Sequence, residues 1–367
     1  MSSIRELVMD RSRSGLASAL AFGLALGGTG IAAAQDDAAG ETATLTDFRG
    51  QTMEVPVGTE SVVFLVENAM NTFYAVGGAE DVSGIGTLWQ PDYKVDFFSA
   101  VDPDFADVPV ISTTNGAVDL EALAASDPEL VVLWSADIDD KDTTAIESSL
   151  GIPVYGVFLT SFDDLDKLTE DMATIVGDPA RGEEVVAQIA STMAGITDIS
   201  SAIPGEDRPT VYWMWGDVFG TAGTESTADD LITAAGGINV VSTWDDPARS
   251  DEHPVLPMET IAALDPDVIY MWFNPDIDPV DIIDGAQVGD VDFSTWAGLS
   301  AVQDGRVYEL DDPFLYDFMT GRQPIATLKI AKDINPEAFA DVDLTTAYDE
   351  FFQAMYGVSY PDYQPVD

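Results

Sequence analysis

The sequence predicts an α/β protein of two similar lobes, each built on a parallel sheet, with a ligand cleft between them. Three observations carry this. One stretch occurs twice, as Val118–Trp134 (VDLEALAASDPELVVLW) and as Leu256–Trp272 (LPMETIAALDPDVIYMW). Each copy has an acid, an apolar helical turn, Asp-Pro, a second acid, a β-branched run and a Trp, and a repeat of this kind marks units of like build. The runs Leu130–Leu133 and Val268–Met271 are continuously apolar, as strands buried on both faces of a parallel sheet are. Finally, Asp163–Ile175 and Ala180–Ile199 read as long amphipathic helices around Gly177-Asp178-Pro179, and they fit a single helical connection between lobes.

Within the repeat, Leu120, Leu123 and Ala124 fall on one helical face, as do Met258, Ile261 and Ala262. Pro257 suits the first position of a helix. Asp127-Pro128 and Asp265-Pro266 stop each helix, since the residue before proline avoids helical geometry. Each strand then delivers an aromatic at its C-terminal end. In open α/β sheets ligands sit outside those ends, so Trp134 and Trp272 are expected to face each other across the cleft.

A chain of 367 residues is long enough for two domains, and 46% hydrophobic content is ordinary for a globular protein. There is no cysteine and a single histidine, His253. Disulfides, thiolate metal sites and a thiol nucleophile are thereby excluded, and a metal site of clustered histidines is not expected. Residues 1–34 read as a signal peptide: Arg5, Arg11 and Arg13 lead, an apolar Gly/Ala-rich stretch follows, and Ala32-Ala33-Ala34 offers cleavage before Gln35. The protein is thus expected to be exported, to the periplasm or the cell surface. The net charge is −52. A surface of that sign repels nucleic acid and anionic membrane, so neither is expected as a partner. Acids spread along the whole chain fit a solvated acidic surface better than steering of a cationic ligand.

In chain order, residues 35–41 form a flexible leader. Thr42–Val57 alternates around Asp47-Phe48-Arg49-Gly50 as a β-hairpin. Ser61–Val66 is a strand, Asn71–Val76 a short helix ending at Gly77-Gly78, and Val82–Gly86 a strand followed by a loop with Trp89. Pro153–Val157 and Pro209–Trp215 are further strands, and Ser226–Ala235 is a helix. Ser242–Val255 is a loop with Trp244, Arg249 and His253, and Arg306–Leu310 is the last strand. A helix begins at Pro324, and Asn335–Phe339 with Thr345–Met355 form the closing helical segment. The expected lobes are residues 42–162 and 204–367, with 163–203 connecting them.

Four stretches resemble a known family. TDFRGQTMEVP (Thr46–Pro56) is similar to its opening hairpin, and the two repeat copies to its paired lobe elements. VYWMWGDVFGTAGTESTADDLITAAGGINVV (Val211–Val241) is similar to its second-lobe strand and helix, and NPEAFADVDLTTAYDEFFQAMYGV (Asn335–Val358) to its closing segment. In this order, and over nearly the whole chain after the leader, they resemble the substrate-binding proteins of ABC importers for iron-siderophores, haem and vitamin B12. The resemblance implies two Rossmann-like lobes joined by a long α-helix, an iron chelate, haem or corrinoid in the cleft, no cofactor and no enzymatic reaction. It also implies an ABC permease dimer with its ATPase as partners of a monomeric binding protein. One Glu per lobe, Glu121 and Glu259, would meet permease arginines, although a carboxylate in a first helical turn also favours the helix dipole. The chain lacks the lipidation cysteine common in single-membrane organisms.

The expected ligand-binding residues are Trp89, Asn115, Trp134, Trp215, His253, Trp272, Phe314, Tyr316 and Arg322. Aromatics at strand ends offer flat faces to a bulky chelate. Each Trp has core packing as its alternative role. His253 stands six residues before Glu259, where family members place a ligand-facing side chain, and it could ligate haem iron. Arg322 either neutralises an anionic chelate or pairs with a carboxylate. An exported hydrolase is the competing reading, but no G-x-S-x-G elbow occurs. A surface sensory or adhesion domain on the same frame is the third.

Overall fold

A computed structural model describes residues 42–86, 92–112, 117–137, 140–272, 274–312 and 315–360. The expected signal peptide and leader lie outside these residues.

The chain opens with the hairpin β1 (Thr42–Thr46) and β2 (Thr52–Pro56), paired Thr42 to Pro56 through Thr46 to Thr52. Its turn is built by Asp47, whose Oδ1 accepts from the backbone of Arg49 and Gln51, both at 2.9 Å. Four parallel strands follow: β3 (Val62–Phe64), β4 (Val82–Ile85), β5 (Leu130–Trp134) and β6 (Val154–Val157), in the order β4-β3-β5-β6. The hairpin closes the open edge of β6. Gly156 donates to Asp47 Oδ2 at 2.9 Å, and Phe48 donates to the Gly156 carbonyl at 3.1 Å. The Arg49 and Asp47 side chains are fully buried and 2.6 Å apart, and a Cβ at Gly156 would lie 2.6 Å from the Arg49 side chain. Covering an edge strand in this way removes a site of strand-to-strand aggregation.

The second sheet comprises β7 (Thr210–Trp215), β8 (Ile238–Asn239), β9 (Val268–Trp272) and, after a small hairpin of β10 (Gln287–Val288) and β11 (Val291–Asp292), β12 (Val307–Glu309). Its order is β12-β9-β7-β8, again parallel throughout. The two repeat strands, β5 and β9, are both interior strands, as their continuous apolar runs require.

In order, the helices are α1 (Glu67–Ala75), α2 (Asp92–Val101), α3 (Leu120–Ser126), α4 (Lys141–Leu150), α5 (Phe162–Val176), α6 (Pro179–Ser200), α7 (Thr227–Ala234), α8 (Met258–Leu264), α9 (Pro279–Asp284), α10 (Ser300–Gln303), α11 (Gln323–Ile334) and α12 (Leu344–Tyr356). The repeat helices α3 and α8 have seven residues each, and both end on an aspartate in the left-handed region: Asp127 at φ 47° and Asp265 at φ 44°. Asp tolerates that region better than most residues with a Cβ, and the following proline prevents continuation. Leu123 and Ile261 point inward as expected, but Ala124 and Ala262 are exposed. Two turns of helix bury a seam narrower than the predicted face.

Two other expectations need correction. The first helix starts at Glu67, four residues earlier than predicted, and Asn335–Phe339 form turns, not helix. The Lys332 ammonium satisfies carbonyls of that turn, at Phe339 (3.2 Å) and at Val342.

The helix α5 starts in a reciprocal capping box between Ser161 and Asp164 and stops at Gly177, φ 86°. It packs against α1 on the first sheet, whereas α6, with Pro179 in its first turn, packs against α7, α11 and α12. The guanidinium of Arg181 donates to Ala75 O (3.0 Å), Ala354 O (2.9 Å) and Met355 O (2.7 Å), tying the end of α1 to the end of α12. One apolar core runs without a break through the helix-covered faces of both sheets. Separate clusters fill the other face of the second sheet and of the first.

At the end of β12, burial raises the Glu309 carboxyl to about 7, helped by Asp278 and Asp311 and opposed by Lys329. A raised carboxyl stabilises below its unfolded value, and that contribution is lost as pH rises through its folded value. Glu309→Gln is therefore expected to change stability little near pH 4.5 and to raise it increasingly up to about pH 7, by about 1 kcal/mol after allowance for solvent screening of this half-buried group. Denaturant titrations across that range check this, and a pH-independent gain would refute it.

Candidate functional site

Parallel strands put their C-terminal ends on one edge of each sheet, and hydrogen bonds show that these two edges meet. Asn68, just beyond β3, donates to Asp317 Oδ2 (3.0 Å) and Met319 O (3.1 Å), just beyond β12. Beyond β6, the Thr160 carbonyl accepts from Thr227 Oγ1 at 3.3 Å, at the start of α7. The ends of β5, β7 and β9 lie between these two junctions, and they carry Trp134, Trp215 and Trp272.

The aromatic arrangement differs between the edges. On the first, Trp134 is 42% exposed and rests against Phe158, with ring centroids 5.4 Å apart. On the second, Phe318 sits fully buried among three tryptophans: Trp272 at 5.3 Å, Trp213 at 5.8 Å and Trp215 at 6.3 Å. Trp272 is thereby 8% exposed, while Trp215 stays partly open and carries the His253 ring edge-on at 4.3 Å. The ends of the two repeats are thus unlike: one Trp stands in solvent and its counterpart lies under Phe318.

Backbone packing fixes His253 on Trp215. The turn after β7 uses Gly216 at φ 62°, and its Gly216 N–H donates to Trp272 O at 3.1 Å. Oriented to satisfy its neighbours, the Asn274 amide donates to Trp272 O and Met214 O, both at 3.1 Å, and locks the ends of β7 and β9 together. The loop carrying His253 then docks through Thr224 N to Arg249 O (2.8 Å), Thr221 N to Pro254 O (3.0 Å) and Leu256 N to Phe219 O (2.9 Å). Gly223 permits the approach, since a Cβ there would stand 1.8 Å from the Asp251 carbonyl. Where α5 and α7 start at the seam, burial and then Asp163 raise the Asp230 carboxyl. A separate cavity of about 850 Å³, bounded by α6, α11 and residues 335–342, opens by Arg306 at the opposite edge of the second sheet, remote from the aromatics. Among the described residues no group of three or more acidic, His or Cys side chains could hold a metal ion.

The model of the periplasmic binding protein family matches residues 62–314. The chain belongs to this family. The molybdate-binding protein MolA of Haemophilus influenzae is 21% identical over 343 residues, covering 87% of this chain and 92% of that protein. A periplasmic solute binding protein from Veillonella parvula shares the fold with a TM-score of 0.70 and 22% identity, over 87% of this chain and 94% of that one. Helicobacter pylori CeuE, solved with Ni(II) bound, follows at 0.68 and 17%, over 88% and 99%.

In this periplasmic binding protein the expected ligand residues are distributed unevenly. Trp134, Trp215, His253 and Trp272 come to the facing edges. Trp89, Asn115 and Phe314 lie outside the described residues. Tyr316 is buried against Tyr348 of α12, 6.2 Å between rings, on the side of the closing helix. Arg322 is fully buried, 3.8 Å from Glu67 and 5.3 Å from the Phe97 ring. Of the two roles open to it, the structure shows the carboxylate pair. Glu121 and Glu259 are both exposed, each at the second position of its repeat helix. Sequence reading passed over Phe318 and Phe158 as site residues; the only local signal was their place in loops after strands.

Gly223→Ala is expected to push residues 249–252 away and free His253 from Trp215, at a cost of about 1–3 kcal/mol, the usual scale of overpacking. A rise in tryptophan accessibility to quenchers alongside a lower melting temperature would bear this out; an unchanged protein would refute it.

Proposed function

We propose that the protein is an exported substrate-binding protein that carries a bulky metal chelate, of siderophore type, to the permease dimer and ATPase of an ABC importer. The observation that carries this is the pair of aromatic strand-end groups, Trp134 with Phe158 and Trp215 with His253 and Phe318, on edges that face each other. Such surfaces suit a large ligand with flat or apolar faces. Relatives of the same fold include a heme-binding protein, RhuT of Roseiflexus, and a vitamin B12 binding protein, BtuF of Vibrio cholerae. A haem reading draws on His253, whose half-exposed imidazole beside Trp215 has a nitrogen to offer to iron.

The absorption spectrum and mass of whatever co-purifies test the ligand class. Trp215→Ala is expected to weaken binding by about 1–3 kcal/mol, the scale of losing a buried aromatic anchor. Affinity unchanged by that variant would move Trp215 to a packing role.

Glu121 and Glu259 serve as docking carboxylates in this reading, since equivalent places in two lobes match two cationic patches on a permease dimer. Both alanine variants are then expected to reduce reconstituted uptake while ligand affinity holds. The helix-dipole role predicts a different pattern. Asp119 already caps α3, accepting from Glu121 N and Ala122 N at 3.0 Å each, whereas the N-cap of α8 is Pro257, an extended residue and not the first helical one, and it offers no side-chain cap. If dipole stabilisation is all these acids do, Glu259→Ala lowers the melting temperature more than Glu121→Ala, and uptake by the folded protein is normal.

A further inference from the structure

We propose that the strand-end cleft selects a ligand without net negative charge, and a cationic one by preference, over an oxyanion. This rests on the reading of that cleft as the ligand site. It runs against carrying molybdate over from the relative named for it.

The first observation is the sign of the charges at the strand ends. The segments that leave the strands at the facing edges, 65–68, 134–137, 158–161, 215–219, 272–277 and 310–317, contain no lysine or arginine. They contain Glu67, Asp137, Asp217, Asp276, Asp311, Asp312 and Asp317. Three cations stand near these ends in sequence, and each has acids within two positions. Lys94 lies between Asp92 and Asp96, Lys141 between Asp140 and Asp142, and Arg249 two residues before Asp251. Arg322 is already buried against Glu67.

The second observation concerns helix starts. In open α/β sheets the helices after the strands begin at the ligand edge, and their free N–H groups are the usual receptors for anions. Here the chain's own polar side chains stand at five of these starts. Glu67 lies in the first turn of α1. Asp140 accepts from Asp142 N and Thr143 N at the start of α4, both at 3.0 Å. Asp164 accepts from Thr160 N (2.8 Å) and Ser161 N (2.9 Å) at the start of α5. Ser226 caps α7, whose first turn holds Asp229 and Asp230. At α9, Asp281 accepts from Asp278 N at 3.0 Å. An oxyanion arriving at these five starts meets an acidic side chain of the chain itself at each. A cation finds those carboxylates together with the exposed faces of Trp134 and Trp215, which attract positive charge.

The test is a matched pair of ferric trihydroxamates, one with a free terminal amine and net positive, the other N-succinylated and net negative. Molybdate serves as the oxyanion. Binding to the purified protein is read by tryptophan fluorescence. The amine form is expected to bind about tenfold more tightly at low ionic strength, with the gap narrowing as added salt shortens the Debye length. Asp276→Asn and Asp311→Asn, both exposed and clear of the aromatic contacts, are expected to shrink that preference. Equal or tighter binding of the succinylated form, or of molybdate, overturns charge selection and leaves the cleft as the ligand site. Absence of binding by all three removes the cleft reading itself, and the inference with it.

Discussion

The relation between the two sheets depends on a buried polar seam between α1 and the segment 317–323. Its centre is Arg322, with no exposed side-chain surface, 3.8 Å from Glu67, which is 11% exposed. A guanidinium so placed is tolerated only when a carboxylate and hydrogen bonds replace water, and removal of one partner leaves a charge stranded in low dielectric. Around it, Asn68 bonds Asp317 and Met319, and Tyr356 donates to Asn71 at 2.6 Å. Every one of these contacts joins a residue of α1 to a part of the chain some 250 residues later or more. They hold the end of β3 to the end of β12, and with the Thr160–Thr227 contact at the other limit they set which strand ends face which.

The continuous core adds a second constraint. Phe97 of α2 meets Phe352 and Tyr356 of α12 edge-on, at 5.8 and 5.2 Å, and α6 lies against α11 and α12 in the same cluster. Wide separation of the sheets would expose this apolar surface at about 25 cal/mol per Å² and break the seam's polar contacts as well. Adjustment at the cleft is therefore far less costly in the loops that carry the aromatics than in the lobes as wholes. The loop bearing His253 is such an element: it is held by a few backbone hydrogen bonds and a close packing at Gly223, while the sheets beneath it are locked by strand pairing and by Asn274.

Much of the framework was legible because it is encoded locally. Asp-Pro at the end of each repeat helix, the apolar runs of β5 and β9, and the hairpin around Asp47 are all short-range patterns, and each appears in the structure as expected. What was not legible lies in partners far apart in sequence. Nothing near Arg322 points to Glu67, and nothing near Trp272 points to Phe318. The equal spacing of the two repeats suggested equal roles for Trp134 and Trp272. Each is met by a phenylalanine from the strand beside it, Phe158 beyond β6 and Phe318 beyond β12, but Trp134 stays 42% exposed where Trp272 is 8% exposed. Ala124 and Ala262 illustrate the same limit on a smaller scale: helical periodicity gives a face, but the width of the seam under a two-turn helix decides how much of that face is buried.

The local rules also account for the charge at the cleft. Helices begin best with an acid or a small polar side chain at the cap or in the first turn, because the free N–H groups and the dipole favour negative charge there. This chain follows the rule at α1, α4, α5, α7 and α9 with Glu67, Asp140, Asp164, Asp229 and Asp281. All five helices follow strands of the two sheets, so all five starts converge on the strand-end edges. In a chain with 66 acids and 14 basic residues, few cations are at hand to offset them there. Acids placed to start helices thus gather along the strand-end edges, and the electrostatic character of those edges follows in part from how the helices begin.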